Sequence, residues 1–331
     1  MTDQTFQALV VQESEPKTFA RNVEERSISD LPDGDVLVRV HYSSLNYKDA
    51  LSATGNKGVT QHYPHTPGID AAGIVAESKN SEFAPGDPVI VTSFDLGMNT
   101  AGGFGQYIRV PADWVVPLPH GLSLDESMVL GTAGFTAAMS LEKIIPTISL
   151  SQGPILVTGA TGGVGSLACA MLSRLGYQVV AVSGKPDDGF LADLGVTEVI
   201  PRQAFTENSR PPMLKARWAG VVDTVGGDIL ATAIKSTMEN GIVTCCGLVA
   251  SPDLPITVFP FILRGITLFG IDSQHYPIQQ RRDLWAYIAD DWRPALPDHF
   301  TQTIGLTDLN TYIDKILKGE IKGRTLVDLA P

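Results

Sequence analysis

Cysteine, histidine and basic side chains are scarce in this 331-residue chain, and each scarcity removes a class of function. Three cysteines, Cys169, Cys245 and Cys246, are too few for a disulfide framework, and the adjacent pair is badly placed to bridge itself, so a reducing interior is expected. The six histidines form no H-E-x-x-H pair, and no C-x-x-C ladder accompanies them. His62 and His65 stand close in sequence, but a loop pair with no third ligand reads as structural, so no metal is expected. Lys and Arg number 24 against 36 Asp and Glu, a formal charge of −12. That balance argues against a nucleic-acid or anionic-membrane surface and leaves room only for local phosphate contacts. No stretch approaches the ~20 apolar residues of a membrane span, and the first residues lack a basic region followed by an apolar core. The expectation is a soluble cytoplasmic protein. There is no low-complexity tract and no internal repeat.

What is present is ordinary globular material, 44% hydrophobic and 18% charged, long enough for two domains. The first third alternates like strands at 6–11, 35–42, 73–77, 88–91 and 105–110, punctuated by turns such as Leu31-Pro32-Asp33-Gly34 and Phe83-Ala84-Pro85-Gly86-Asp87. From Leu124 the periodicity becomes helical over 125–141, and βα units then alternate, with strands at 154–158, 178–183, 220–225, 241–246 and 266–271. An amphipathic helix around 309–317, capped by Gly319, and a strand at 324–329 close the chain. The pattern predicts an α/β protein: a doubly wound parallel sheet of Rossmann type over 124–297, and a β-rich domain from 1–123 rejoined by 298–331.

The run Thr158-Gly159-Ala160-Thr161-Gly162-Gly163-Val164-Gly165 joins a buried strand to an apolar helix. Such a turn presents bare backbone amides and a helix N-terminus to a pyrophosphate. Gly162 and Gly165 take the second and third glycine places of the dinucleotide fingerprint, while Ala160 stands in the first. The end of the next strand, Ser183-Gly184-Lys185, offers a hydroxyl, an amide and a cation where an Asp or Glu would receive the ribose of NADH. NADPH is favoured, with Arg202 in reach of the same phosphate. Lys185 also reads as a solvated loop lysine, and Asp187 and Asp188 oppose the assignment.

Ser44-Leu45-Asn46-Tyr47-Lys48-Asp49, Pro67-Gly68-Ile69-Asp70-Ala71-Ala72-Gly73, Gly131-Thr132-Ala133-Gly134-Phe135-Thr136-Ala137 and the glycine turn, in this order, resemble the medium-chain dehydrogenase/reductase superfamily. Asp223-Thr224-Val225-Gly226-Gly227, Pro260-Phe261-Ile262-Leu263-Arg264 and Gly323-Arg324-Thr325-Leu326-Val327 are similar to its bacterial quinone-oxidoreductase-like branch, which includes NADPH-dependent acrylyl-CoA reductases. The resemblance implies a GroES-like catalytic domain beside the Rossmann domain, a homodimer pairing through 266–271, and an NADPH site lined by Tyr47, Thr161, Gly162, Gly163, Val164, Ser183, Gly184, Lys185, Arg202, Leu248, Ile262, Ser273 and Arg324. Zinc-dependent members carry a Cys in the first motif and Gly-His-Glu in the second. This chain has Asn46-Tyr47 and Gly68-Ile69-Asp70, so the metal is expected to be absent and carbonyl reduction disfavoured.

The expected chemistry is metal-free reduction of an activated double bond in a short enoyl-CoA such as acrylyl-CoA. Asn46 and Tyr47 are the candidate donors to the developing oxyanion. Asn46 also reads as a residue that orders its own loop, and Tyr47 as one that stacks on the cofactor. Asp49 is expected either to orient Lys48 or Tyr47 or to cap a helix. Arg264, Arg281 and Arg282 are available for a basic rim around the coenzyme A phosphates, although a solvated helix face explains the last two equally. Two alternatives stand: an NADPH quinone reductase, and an NADPH-binding protein without turnover.

Overall fold

The computed structural model describes residues 4–186 and 188–330. The chain divides into two compact units, Met1–Thr132 with Gln274–Ala289 and Thr301–Pro331, and Ala133–Ser273 with Asp290–Phe300.

The first unit is built on a mixed sheet in the order Thr301–Gly305, Arg324–Asp328, Val36–Ser44, Asp70–Ser78, Pro88–Thr92, Val115–Pro117, with Tyr107–Val110 also paired to Val36–Ser44. The hairpin Thr5–Glu15/Thr18–Ser27 forms a two-stranded sheet of its own, and its Leu9 and Val11 join the same core. Valine dominates the core-facing positions: Val36, Val38, Val40, Val75, Val89, Val91, Val110 and Val327 pack in one cluster. Branching at Cβ suits a pleated surface and restricts the helical alternative. The last strand pairs antiparallel with Val36–Ser44, setting Leu326 opposite Ser44.

The second unit holds six parallel strands, Glu198–Pro201, Val179–Ser183, Ile155–Thr158, Trp218–Asp223, Thr237–Cys245 and Thr267–Gly270 in spatial order. Counted along the chain this is 3-2-1-4-5-6, the doubly wound order whose reversal point lies between Ile155–Thr158 and Trp218–Asp223. Both of those strands are buried throughout, as continuous apolar runs between helix layers are.

Two expectations are corrected here. The helix Leu124–Ile144 is broken at Gly131, at φ 51° and ψ −156°. A Cβ at that position would come within 2.5 Å of Asp70 Oδ2, so glycine is required by close approach as well as by conformation. The stretch 124–297 is not one body either, because the helix Ile278–Ala289 belongs to the first unit. There Arg281 is fully buried and donates to Thr92 O at 3.2 Å and Thr92 Oγ1 at 3.1 Å. Residues 290–300 go with the second unit, where Phe300 stacks on Phe190 at 6.0 Å. Among the described residues no helix is long and apolar enough to cross a membrane.

Candidate active site

In the second unit the reversal point is organised by Asp223. Its carboxylate accepts from Thr158 Oγ1 at 2.6 Å and from the amides of Val225 and Gly226 at 3.2 and 2.8 Å. Burial raises its pKa, and these three donors oppose the rise. The glycine turn leaves this point and enters the helix Gly163–Arg174, with Gly162 as the N-cap. A Cβ on Gly165 would stand 2.4 Å from Gly159 O, so only glycine lets the helix approach the strand this closely. The turn thereby ends in unpaired amides at the positive end of a helix. Thr161 is buried, and Gly162, Gly163 and Val164 are half-buried along it. Burial pushes the thiols of the adjacent Cys245 and Cys246 up, away from the reactive thiolate form.

At the neighbouring strand end, Ser183 Oγ accepts from Lys185 N at 3.0 Å and closes the turn. Ser183 is in register with Pro201, which brings the next residue, Arg202, alongside. The Arg202 guanidinium lies so close over Gly184 that a Cβ there would be 2.9 Å from its central carbon. The two cations expected at a 2′-phosphate therefore flank one turn. Asp187 lies outside the described residues, and Asp188 Oδ1 accepts from Phe190 N. Leu248 and Ile262 are 63% and 68% exposed, and Ser273, after the edge strand, ends the first of the unit's two segments.

In the first unit Asn46 caps the short helix Tyr47–Ala53. Asp49 does not orient Lys48 or Tyr47: its two oxygens accept from Asn46 N and Ile69 N, each at 2.8 Å. Lys48 Nζ instead donates to Gln274 Oε1 at 3.1 Å. Asn46 is engaged on both sides of its amide, with Nδ2 donating to Asp70 Oδ2 at 2.8 Å and Ser44 O at 3.3 Å, and Oδ1 accepting from Arg324 at 3.2 Å. Its two N–H groups are thus used within the fold, which corrects the expectation that it serves as an oxyanion donor. Arg324 also faces inward. It is 3% exposed and donates to Val129 O at 2.9 Å and Ser44 Oγ at 2.7 Å. Of the three catalytic candidates only Tyr47, half-buried, has a side-chain polar atom without a hydrogen-bond partner among the described residues.

The basic rim is corrected as well. Arg281 lies buried with its guanidinium 4.5 Å from the Phe94 ring centre, and Arg282 donates to Glu82 Oε1 at 2.5 Å and Val115 O at 3.4 Å. Arg264 donates to the carbonyls of Lys235, Thr237 and Leu214. Sequence reading missed that each cation holds backbone carbonyls, because only the fold brings those groups together. It also missed Asp70 as a site residue. The available signal was a carboxylate opening the apolar strand Asp70-Ala71-Ala72-Gly73-Ile74-Val75, since a buried charge requires donors.

Asp49 is fully buried, and burial, reinforced by the Asp70 charge, pushes its pKa from 3.8 up to about 7. Between about pH 4 and pH 7 the folded protein therefore keeps a proton that the unfolded chain releases, and stability falls as pH rises through that window. The slope attributable to this one group approaches about 1.4 kcal/mol per pH unit and vanishes above pH 7. Asp49→Asn is expected to remove this contribution, so the urea midpoint of the native chain relative to the variant should decline from pH 4 to 7. A pH-independent difference would show that Asp49 titrates normally.

A parallel sheet wound 3-2-1-4-5-6 with a glycine turn at its reversal point, joined to a separate β unit carrying the Asn46 motif, defines a two-domain dehydrogenase fold. The chain belongs to the medium-chain dehydrogenase/reductase superfamily: residues 32–120 match the alcohol dehydrogenase GroES-like domain, and residues 163–290 match the family described as zinc-binding dehydrogenase. It is 42% identical over 328 residues, 98% of this chain and 99% of the relative, to acrylyl-CoA reductase AcuI of Ruegeria pomeroyi. Identity is also 42% to putative quinone oxidoreductase YhfP of Bacillus subtilis, over 98% of this chain and 99% of that one. The crystal structure of YhfP with NAD bound aligns at a TM-score of 0.94 and 41% identity, covering 98% of this chain and 100% of that one. The crystal structure of Escherichia coli K-12 YhdH with bound NADPH aligns at a TM-score of 0.92 and 40% identity, covering 98% and 100%. Zinc does not fit the residues present, because Asn46 and Asp70 are bonded to one another and no cluster of three or more His, Cys, Asp or Glu among the described residues is arranged to hold an ion.

Proposed function

We propose that this chain is an NADPH-dependent oxidoreductase that reduces the activated C=C bond of a short enoyl-CoA such as acrylyl-CoA, giving propionyl-CoA, without a metal. The reading is supported by full-length similarity to an acrylyl-CoA reductase together with a first unit in which Asn46, standing where zinc-dependent members carry a cysteine, is hydrogen-bonded to Asp70 and Arg324. The glycine turn and helix N-terminus at 159–165 fit a pyrophosphate, and Lys185 and Arg202 fit a 2′-phosphate. When bound, NADPH supplies the hydride that the β-carbon accepts. The chain's own part is to orient the acyl group, exclude water and stabilise negative charge on the thioester oxygen, after which the α-carbon takes a proton. Tyr47, whose phenol is uncommitted, is assigned the hydrogen bond to that oxygen.

A quinone reductase is the second reading, favoured by equal identity to YhfP. NADPH oxidation measured side by side with acrylyl-CoA and a quinone decides between them. Faster quinone turnover at low concentration would reject the thioester reading, and silence with every acceptor would leave a nucleotide-binding protein. A homodimer is part of the proposal. Strand Thr267–Gly270 is a sheet edge, and Leu248, Val249, Val258, Phe259, Ile262 and Leu263 are large apolar side chains exposed on the same unit. Sedimentation equilibrium should give twice the monomer mass, and a monomer at micromolar concentration would refute the pairing.

A further inference from the structure

Asp70 is a fully buried carboxylate at the head of an apolar strand, and its donors come from different segments of the first unit. Ser44 Oγ and Asn46 Nδ2 reach Oδ2 at 2.6 and 2.8 Å. Thr132 donates its amide to both oxygens at 3.0 Å and its hydroxyl to Oδ1 at 2.6 Å. Arg324 stands behind Ser44 and Asn46, 3.8 Å from Oδ2. Because the Thr132 proton goes to Asp70, the Ser93 hydroxyl 3.0 Å away is the donor to Thr132 Oγ1. Ser93 and Phe94 are consecutive non-glycine residues at φ +65° and +50°. Such a conformation persists where surrounding contacts over-determine it, and it clusters at functional sites. The Gly131 break sets its Cα against the same carboxylate.

We propose that Asp70 is a positioning residue for the reaction: its carboxylate pins the approach to Tyr47, the Ser93–Phe94 turn and Thr132 into one arrangement, so that the Tyr47 ring is presented in a single orientation. The inference rests on the reading above, in which the Tyr47 phenol serves the acyl oxygen. Asp70 itself touches no reactant. It acts through Asn46 N-terminal to the tyrosine, and through Thr132 on the strained turn.

Thr132→Val removes one hydroxyl and Thr132→Ser keeps it, while Asp70→Asn keeps the volume and removes the charge. Thr132→Val is expected to lower kcat for acrylyl-CoA by about tenfold with the NADPH Kd held within about twofold, Thr132→Ser to recover most of that loss, and Asp70→Asn to exceed it. Parallel losses in kcat and NADPH affinity, or a Thr132→Ser variant as poor as Thr132→Val, would overturn the proposal. A second readout is independent of turnover: full-length protein carrying 3-fluorotyrosine at position 47 should give one sharp ¹⁹F line that broadens or splits in Asp70→Asn. If that variant does not fold, Thr132→Val is read in the same way. An unchanged line defeats the role of Asp70 whatever the substrate. A broadened line in a protein that turns over no thioester keeps the role of Asp70 and removes the proposed reaction.

Discussion

Tyr47→Phe is expected to lower kcat for an enoyl thioester by about a hundredfold, equivalent to about 2.7 kcal/mol of lost transition-state stabilisation, with little change in NADPH affinity. The size follows from what else is available. In a neighbourhood where Asn46 has both amide hydrogens committed to Ser44 O and Asp70, and Asp49 accepts two backbone amides, no nearby side chain among those named for catalysis replaces the phenol. The substitution removes a single oxygen and leaves the ring, so packing is conserved. Steady-state kcat and a fluorescence titration with NADPH together read the effect. An undiminished kcat would return the ring to a packing role.

The Lys185→Ala, Arg202→Ala double substitution is expected to weaken NADPH binding by about a hundredfold, about tenfold for each cation removed from the phosphate, and to leave NADH binding nearly unchanged. Both residues sit at one turn: the Lys185 backbone amide, which alanine keeps, closes it on Ser183 Oγ, and the Arg202 guanidinium lies against Gly184. Neither has a role in the apolar core, so the folded state should survive. Titrations of the native chain and variant with each nucleotide provide the check. Equal losses for NADPH and NADH would mean that the side chains meet the shared part of the nucleotide instead of the 2′-phosphate. The comparison matters because YhfP is known with NAD bound and YhdH with NADPH.

Much of the architecture was legible from short-range pattern. The glycine turn, the alternating βα units and the Ser183-Gly184-Lys185 strand end are local features, and their chemistry is carried by backbone conformation and by neighbours in sequence. The amphipathic helix Leu309–Leu317 with Gly319 at φ +70° behind it was readable for the same reason. The arginines were not. Arg281, Arg264 and Arg324 look alike in sequence, but each is committed to carbonyls or side chains tens to hundreds of residues away. No periodicity encodes which guanidinium will be buried. The Gly131 break was hidden similarly, since it answers to Asp70 and not to its own helix.

The sequence by itself determined the winding of the nucleotide-type sheet, the β character of the first unit and the absence of the cysteine and histidine motifs that bind catalytic zinc, because these depend on residue type and spacing along the chain. Only the tertiary structure decided which polar side chains remain available for chemistry. It gathered Ser44, Asn46, Asp70, Thr132 and Arg324 into one buried network and left Tyr47 outside it. The physical reason is desolvation: a charge taken from water must find its donors wherever the fold brings them, and that set is fixed by packing between distant segments.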